Sequence, residues 1–151
     1  MPIGDQAIDI DSGAAGSFEH LFVDNALLVT TGRTDYVGAV DIGCQDARLL
    51  DIEAGAPSSA IGDGFRAGIV LRGDNGVMTN CIGQLSEVGI VIMGDLHKIS
   101  LCRADLNRGH GWVFKDAAIN SVIGNHSYRN GRETTNTYDG FYVTGSGSKG
   151  N

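Results

Sequence analysis

The sequence predicts an all-β fold, a right-handed parallel β-helix (a solenoid) with about 22 residues in each coil. Three observations carry this prediction. A short glycine-led pattern recurs five times, and two of its four intervals are 21 and 22 residues. The chain has 23 glycines and only two prolines, which suits frequent tight turns without a collagen-like composition. Between the candidate strands we find no apolar helix of about 10–15 residues, which an α/β domain would require.

The repeated pattern is a glycine followed by mostly apolar residues. Its copies begin at Gly38, Gly68, Gly89, Gly111 and Gly140, so the intervals are 30, 21, 22 and 29 residues. Residues one coil apart then lie above one another at the strand spacing of about 4.8 Å, and backbone hydrogen bonds run along the axis. The two longer intervals indicate insertions of seven or eight residues into an otherwise constant repeat.

Alternation within each copy predicts which side chains enter the core. The inward positions hold Ile69, Leu71, Ile90, Ile92, Trp112, Phe114, Phe141 and Val143. Asp41 occupies the equivalent place in the first copy, so we expect the interior to close there. The prediction is therefore five clear coils over residues 38–151, preceded by an N-terminal cap or irregular first coil over residues 1–37.

Two segments are open to more than one interpretation. Residues 17–29 are compatible with a short amphipathic helix that has Ser17 as its N-cap, or with an earlier coil. The repeat also stops at Asn151, where a further strand is expected. We interpret that end as a truncated repeat or as a unit completed by a neighbour.

The composition excludes several classes of partner. A formal net charge of −7 argues against nucleic acid, whose binding needs clustered Lys and Arg. No apolar run approaches the roughly 18 residues of a membrane span, and the N-terminal residues lack the basic and apolar blocks of a secretion signal. The three cysteines have no metal-type spacing, so we expect free buried thiols. We expect no metal and no cofactor.

Both insertions fall at the turn that leads into the glycine-led strand, over residues 53–67 and 130–139. Their separation of three coils corresponds to about 15 Å. Enlarged loops on a rigid scaffold commonly carry function. We therefore predict a groove whose walls are the two insertions and whose floor is the short turn of the coils between them.

Polar residues of this floor and of the second wall are the candidate site. The catalytic candidates are Glu87, Asp105, His110 and Asp139, and the substrate-binding candidates are Asn107, Arg108 and Glu133. A carboxylate pair can cleave a glycosidic bond, with one group protonating the leaving oxygen. Arg108 or His110 could instead neutralise a uronate and assist proton abstraction. The alternative is that these are solvated turn residues.

The outward side of the glycine-led strand carries an apolar ladder. Its members are Val40, Val70, Val91, Val113 and Tyr142. If the ladder is uncovered, it predicts an interface between copies of the chain, with a homotrimer as one closed arrangement. If a loop of the same chain covers it, the ladder is part of the fold.

The five-fold pattern, with Asn80–Cys81 and residues 120–125 in the second strand, resembles the pectate-lyase-like superfamily of right-handed β-helices over residues 38–151. Within that superfamily the chain is most similar to a bacteriophage tailspike or tail-fibre segment. The resemblance implies a homotrimer in the virion tail, made in the cytoplasm without a signal peptide, that binds bacterial polysaccharide and in many cases cleaves it. The alternatives are a free-standing polysaccharide lyase, hydrolase or epimerase, and a structural or adhesive β-helix without chemistry.

Overall fold

The computed structural model describes residues 8–10, 17–19, 22–23, 35–55, 65–134 and 137–147. All regular structure in these residues is β-strand, and the strands form three parallel sheets. This arrangement confirms the all-β prediction and is consistent with a parallel β-helix. The described part of the chain accordingly contains no helix that could cross a bilayer.

Sixteen strands follow one another along the described residues. They are β1 (Ile8–Ile10), β2 (Ser17–Glu19), β3 (Phe22–Val23), β4 (Tyr36–Ile42), β5 (Arg48–Leu50), β6 (Glu53–Gly55), β7 (Phe65–Leu71), β8 (Val77–Thr79), β9 (Ile82–Gln84), β10 (Val88–Ile92), β11 (Lys98–Ser100), β12 (Arg103–Asp105), β13 (Trp112–Lys115), β14 (Ser121–Ile123), β15 (His126–Tyr128) and β16 (Phe141–Thr144). Every third strand joins the same sheet.

Sheet A has the order β1-β4-β7-β10-β13-β16, sheet B the order β14-β11-β8-β5-β2, and sheet C the order β15-β12-β9-β6-β3. Three consecutive strands, one from each sheet, therefore make one coil. Each strand hydrogen-bonds to its equivalents in the coils before and after it, as stacking requires.

The predicted column of core residues in sheet A is confirmed from Ile69 to Phe114. Phe141 and Val143 are exposed instead, because β16 is the edge strand of the sheet. Ile69 pairs with Ile90, and Ile90 pairs with Trp112, at offsets of 21 and 22 residues. All three side chains are fully buried in one apolar cluster. Full burial of a large aliphatic side chain contributes about 1.5–3 kcal/mol, so this column is a main source of stability.

The chain turns its corners with residues in the left-handed backbone region, spaced five apart. Positive φ angles occur at Asn75, Asn80 and Leu85, then at Leu96, Leu101 and Leu106, and then at Ile119, Gly124 and Arg129. In the coils that contain His97 and Asn120, the residue after such a turn accepts a backbone N–H of the coil before it. The bonds are Gly76 N–H to His97 Nδ1 at 2.9 Å, Cys102 N–H to Asn125 Oδ1 at 2.8 Å and Ser86 N–H to Asn107 Oδ1 at 3.0 Å. These bonds offset the cost of left-handed non-glycine residues.

The repeated glycines fill a narrow inward column between sheets C and A. A Cβ atom on Gly89 would lie 2.4 Å from Asn107 Nδ2 and 2.6 Å from the carbonyl oxygen of Gly111. No real Cβ atom tolerates such distances. The glycine-led pattern thus reflects close packing of one corner against the next strand.

The first copy of the pattern is displaced by one residue from the predicted alignment. Gly38 pairs with Ala67, and Val40 pairs with Ile69. Val40 is therefore an inward core residue and not a member of the outward ladder. Asp41 lies opposite Val70 and does not interrupt the core. The physical reason is that hydrogen-bond register, and not the identity of the glycine, sets the alignment.

The segment before residue 35 extends the sheets where the structure describes it. Strands β2 and β3 pair in parallel with β5 and β6. The helical interpretation of residues 17–29 is therefore wrong at 17–19 and 22–23, and residues 24–29 lie outside the described part. Tyr36 already belongs to β4, and the predicted domain boundary at residue 37 stays a prediction.

Candidate functional site

A cavity of about 410 Å³ lies on the outer face of sheet A, beside the corner that connects sheet C to sheet A. This volume falls within the range of about 300–1,000 Å³ that is usual for ligand pockets. The lining combines aromatic and charged side chains: Tyr36, Tyr138, Tyr142, His110, Glu87 and Lys115. The predicted corner thus holds a concave site, and two of the four catalytic candidates line it.

His110 is fixed in this cavity by three contacts. Its Nδ1 accepts the backbone N–H of Asp139 at 2.9 Å. Its ring stacks on Tyr142, with centroids 4.4 Å apart and planes within 6°, and meets Tyr138 edge-on at 5.2 Å. Because Nδ1 accepts a hydrogen bond, the neutral ring carries its hydrogen on Nε2. His110 can therefore donate a hydrogen bond to a ligand from a ring that cannot rotate freely.

Glu87 enters the cavity from the short turn between β9 and β10. Its Oε2 accepts the backbone N–H of Arg66 at 3.3 Å, and the Arg66 side chain is buried. Burial lowers the pKa of the Arg66 guanidinium, and the Glu87 carboxylate opposes this shift. The carboxylate is thus held between its own turn and β7.

Tyr36 forms the wall opposite His110. Arg72 anchors this wall, because its Nη1 lies 3.0 Å from Asp35 Oδ2 and its Nη2 donates to the carbonyl of Tyr36. Lys115 Nζ lies 5.9 Å from the centre of the Tyr36 ring, a cation–π distance. Burial raises the pKa of Tyr36, and the neighbouring Tyr142 and carboxylates add to the shift. The phenol therefore stays neutral and can donate a hydrogen bond.

Asp105 and Asp139 do not share the cavity with Glu87 and His110. Asp105 is buried under the outer face of sheet C, where its Oδ2 lies 2.5 Å from Arg103 Nε. Desolvation raises its pKa, partly offset by Arg103. Asp139 contributes its backbone N–H to His110, and its side chain is not part of the lining. The structure therefore does not assemble the predicted set of three carboxylates.

The predicted substrate-binding residues have structural partners. Asn107 is fully buried and belongs to the ladder of corner amides, with Nδ2 donating to Asn130 Oδ1 at 2.8 Å. Asn107 holds coils together and presents no surface to a ligand. Arg108 Nη2 pairs with Glu133 Oε1 at 2.7 Å at the exposed edge of the second insertion. These two residues fix the loop that carries Tyr138.

The outward apolar ladder is covered within one chain. Val70, Val91 and Val113 are fully buried, and Tyr36 and Met93 pack against the cluster that contains them. Tyr142 alone of the predicted ladder is exposed, and it lies in the cavity wall. The expectation of an uncovered ladder is therefore wrong, because Tyr36, at the N-terminal end of β4, packs against these valines.

Sequence reasoning missed Tyr36, Tyr138 and Lys115 as cavity residues and assigned Tyr142 to an interface. No periodic signal marks the two tyrosines, since Tyr36 precedes the first glycine-led copy and Tyr138 belongs to an insertion. Lys115 lies within the fourth copy, whose pattern does not distinguish a cavity residue from another outward residue. The described residues hold no group of three or more His, Cys, Asp or Glu side chains that could bind a metal. The three cysteines are free and buried, as predicted.

Comparison of the chain with family models, with curated proteins and with solved structures finds no match.

Proposed function

We propose that the chain is a carbohydrate-binding parallel β-helix of the tailspike or tail-fibre kind, and that its cavity binds a bacterial surface polysaccharide. The observation that carries the proposal is the lining of the cavity by Tyr36, Tyr138 and Tyr142 around His110, with Glu87 and Lys115 among them. Pyranose rings offer apolar C–H faces to aromatic rings, and their hydroxyls exchange hydrogen bonds with polar and charged groups.

The proposal includes right-handed winding and membership of the pectate-lyase-like superfamily. Connections between parallel strands of one sheet are right-handed in about 98% of cases, which favours that hand for sixteen strands in three parallel sheets. A virion tail location follows from the same resemblance.

A bond-cleaving role is the second candidate. The observation in its favour is that Glu87 and His110 line the same cavity. In such a reaction, Glu87 would exchange a proton with the glycosidic oxygen or a water, and the Nε2 hydrogen of His110 would orient a sugar hydroxyl. Binding without cleavage needs only the aromatic walls.

Binding is tested by titrating the protein with capsular and O-antigen polysaccharides in a calorimeter. Tyr142→Ala is expected to weaken the best ligand by at least tenfold, because it removes a wall ring and the support of His110. Leu50→Ala is the control, since Leu50 is an apolar residue 36% exposed outside the cavity lining. Equal affinities for wild type and Tyr142→Ala would refute the cavity as the glycan site.

Cleavage is tested on the glycans that bind, by assaying new reducing ends and unsaturated uronates. Glu87→Gln is expected to abolish turnover while it leaves binding within a few-fold of wild type. Binding without turnover for every glycan would leave adhesion as the function.

Self-association is also part of the proposal. Large aliphatic side chains remain more than half exposed on the flank formed by β11, β14 and their corners: Leu96, Leu101, Ile119 and Ile123. A trimer packed through this flank would cover them. Sedimentation equilibrium of wild type and Leu101→Ser measures this directly, and a monomeric wild type at tens of micromolar would contradict it.

A further inference from the structure

The positive charge of this acidic chain is concentrated in two coils. Residues 96–132 hold six of the eleven Lys and Arg residues but only two of the eighteen Asp and Glu residues. That segment has a net charge of +4 in a chain of −7. It contains β11 to β15, and its cations are distributed over the three sheets and their corners: Lys98 lies in sheet B, Arg103 in sheet C and Lys115 in sheet A. A local basic surface on an acidic protein favours an anionic ligand at that surface.

The outer face of sheet C carries one of these cations, Arg103, beside the imidazole of His126. Arg103 and Asp105 point outward from β12, since Ala104 between them is a core residue. Arg103 lies directly opposite His126 of β15. Like charges at such opposed positions destabilise a sheet when both are protonated. The Asp105 carboxylate interacts with both residues and offsets part of that cost, and an anion bound between them would offset more.

The carboxylate of Asp105 holds the Arg103 side chain in place. Its Nε lies 2.5 Å from Asp105 Oδ2, and the two terminal nitrogens of the guanidinium carry further N–H donors for a ligand. The other carboxylate oxygen of Asp105 is buried with no hydrogen-bond partner in the described residues. A buried, half-satisfied carboxylate costs stability, and its evident effect here is to orient Arg103.

A second guanidinium lies at the corner that follows β15. Arg129 lies over the ring of Tyr128, 5.2 Å from its centroid, and Tyr128 is opposite Asp105 in β15. Arg132 lies on the same corner, with Nη1 3.5 Å from the carbonyl of Leu106. Arg129 and His126 have no carboxylate within salt-bridge distance among the residues that the structure describes. Their hydrogen-bond donors are available to a ligand.

We propose that Arg103, His126 and Arg129 form a second binding site, on the outer face of sheet C, for phosphate groups carried by a glycan. Two guanidinium groups and an imidazole supply more donors and charge than one sugar carboxylate requires, and Arg matches phosphate oxygens with paired N–H donors. The site is separate from the aromatic cavity, so it stands whether or not that cavity binds sugar.

The experiment uses the full chain and two probes. Titration with inorganic phosphate, followed by amide chemical shifts, is expected to perturb residues 103–105 and 126–129. Calorimetry with a phosphorylated mannan is expected to show binding that weakens as salt rises from about 50 to 200 mM, as contacts between charges do. The same mannan after removal of its phosphate is expected not to bind at this site.

The decisive variant is Arg103→Gln with Arg129→Gln, which is expected to weaken phosphomannan at least tenfold. Arg48→Gln is the matched control, because it removes one exposed arginine from the outer face of sheet B. Arg129→Gln alone, which leaves the Arg103–Asp105 pair intact, tests the site if the double variant unfolds. Wild-type affinity in these variants, an equal loss in Arg48→Gln, or equal binding of the dephosphorylated mannan would each overturn the proposal.

Discussion

Replacement of Asn107 by alanine separates the structural role found here from the substrate-binding role that the sequence suggested. The side chain makes three hydrogen bonds inside the corner between sheets C and A. Oδ1 accepts the N–H of Ser86 at 3.0 Å, and Nδ2 donates to Gly83 O at 3.3 Å and to Asn130 Oδ1 at 2.8 Å. Since Asn107 is fully buried, water cannot replace these bonds in the folded state.

The size of the effect follows from those partners. A buried donor or acceptor that loses its partner costs about 1–3 kcal/mol, and Asn107→Ala affects such groups in two coils. We expect the free energy of unfolding to fall by about 2–4 kcal/mol, a large share of the roughly 5–15 kcal/mol typical of a domain. Asn107→Asp keeps the acceptor but turns Nδ2 into an oxygen that faces two other oxygens, so a similar loss is expected at neutral pH.

Urea unfolding followed by circular dichroism measures both variants. Arg108→Ala is the neighbouring control, because its ion pair with Glu133 is exposed and such pairs contribute about 0–1 kcal/mol. A loss below about 0.5 kcal/mol for Asn107→Ala would refute the argument that the corner amides hold the coils together. Unchanged stability with lost glycan affinity would instead restore Asn107 as a ligand-binding residue.

Three further predictions use other features of the corners and core. Burial lowers the pKa of His97, so the unfolded protein binds more protons and stability should fall as pH drops below about 6.5. His97→Asn keeps an acceptor for the same N–H and should flatten that pH dependence in urea titrations. Gly89→Ala should lower the melting temperature by several degrees, whereas Gly147→Ala, whose new Cβ has only ordinary contacts, should not. The three buried thiols should stay unreactive toward a thiol reagent until the protein unfolds; the hydrogen bond with Cys102, together with burial, raises the pKa of Cys81. Rapid labelling of native protein would contradict that burial.

Periodicity was sufficient to predict sheet A, which holds the stacked core residues. Ile69, Ile90 and Trp112 recur at one coil's distance because stacked parallel strands repeat each inward position. The alignment failed at the first copy, where Gly38 imitates the pattern one residue too early. A single glycine cannot specify register, since what fixes it is the pairing of the whole of β4 with β7.

The corner geometry could not be predicted in the same way. The left-handed positions hold residues as different as Leu96, Asn80 and Arg129. No single residue type marks these positions, because the backbone conformation is imposed by the hydrogen bonds of the coils on either side. The inward amides were visible as Asn120 and Asn125, but their bonding partners belong to the preceding coil and appear only in three dimensions.

The cavity lies at the corner where the sequence predicts a groove, and two of the four catalytic candidates line it. Glu87 and His110 reach the cavity from short turns whose place in the repeat is fixed. Tyr36 and Tyr138 come from segments outside the repeat, so spacing carries no information about where their rings lie. Asp105 shares the repeat position of Gln84 and Tyr128, which stacking directs away from the cavity.

The register explains why the cavity lies at this corner and not at another. The step from sheet B to sheet C is five residues in four successive coils, from Arg48 to Glu53 and at its three equivalents. The step from sheet C to the inward column of sheet A is 16, 8, 9 and 15 residues, ending at Ile69, Ile90, Trp112 and Phe141. Variation in coil length is thus concentrated where sheet C meets sheet A. The corner between sheets B and C spans five residues, with one residue in the left-handed region followed by one inward side chain, so it has no room for an insertion. The corner between sheets C and A accepts extra residues without disturbing the stacked strands. Among the described coils, this is the corner that accommodates long connections, and its short turns carry Glu87 and His110 into the cavity.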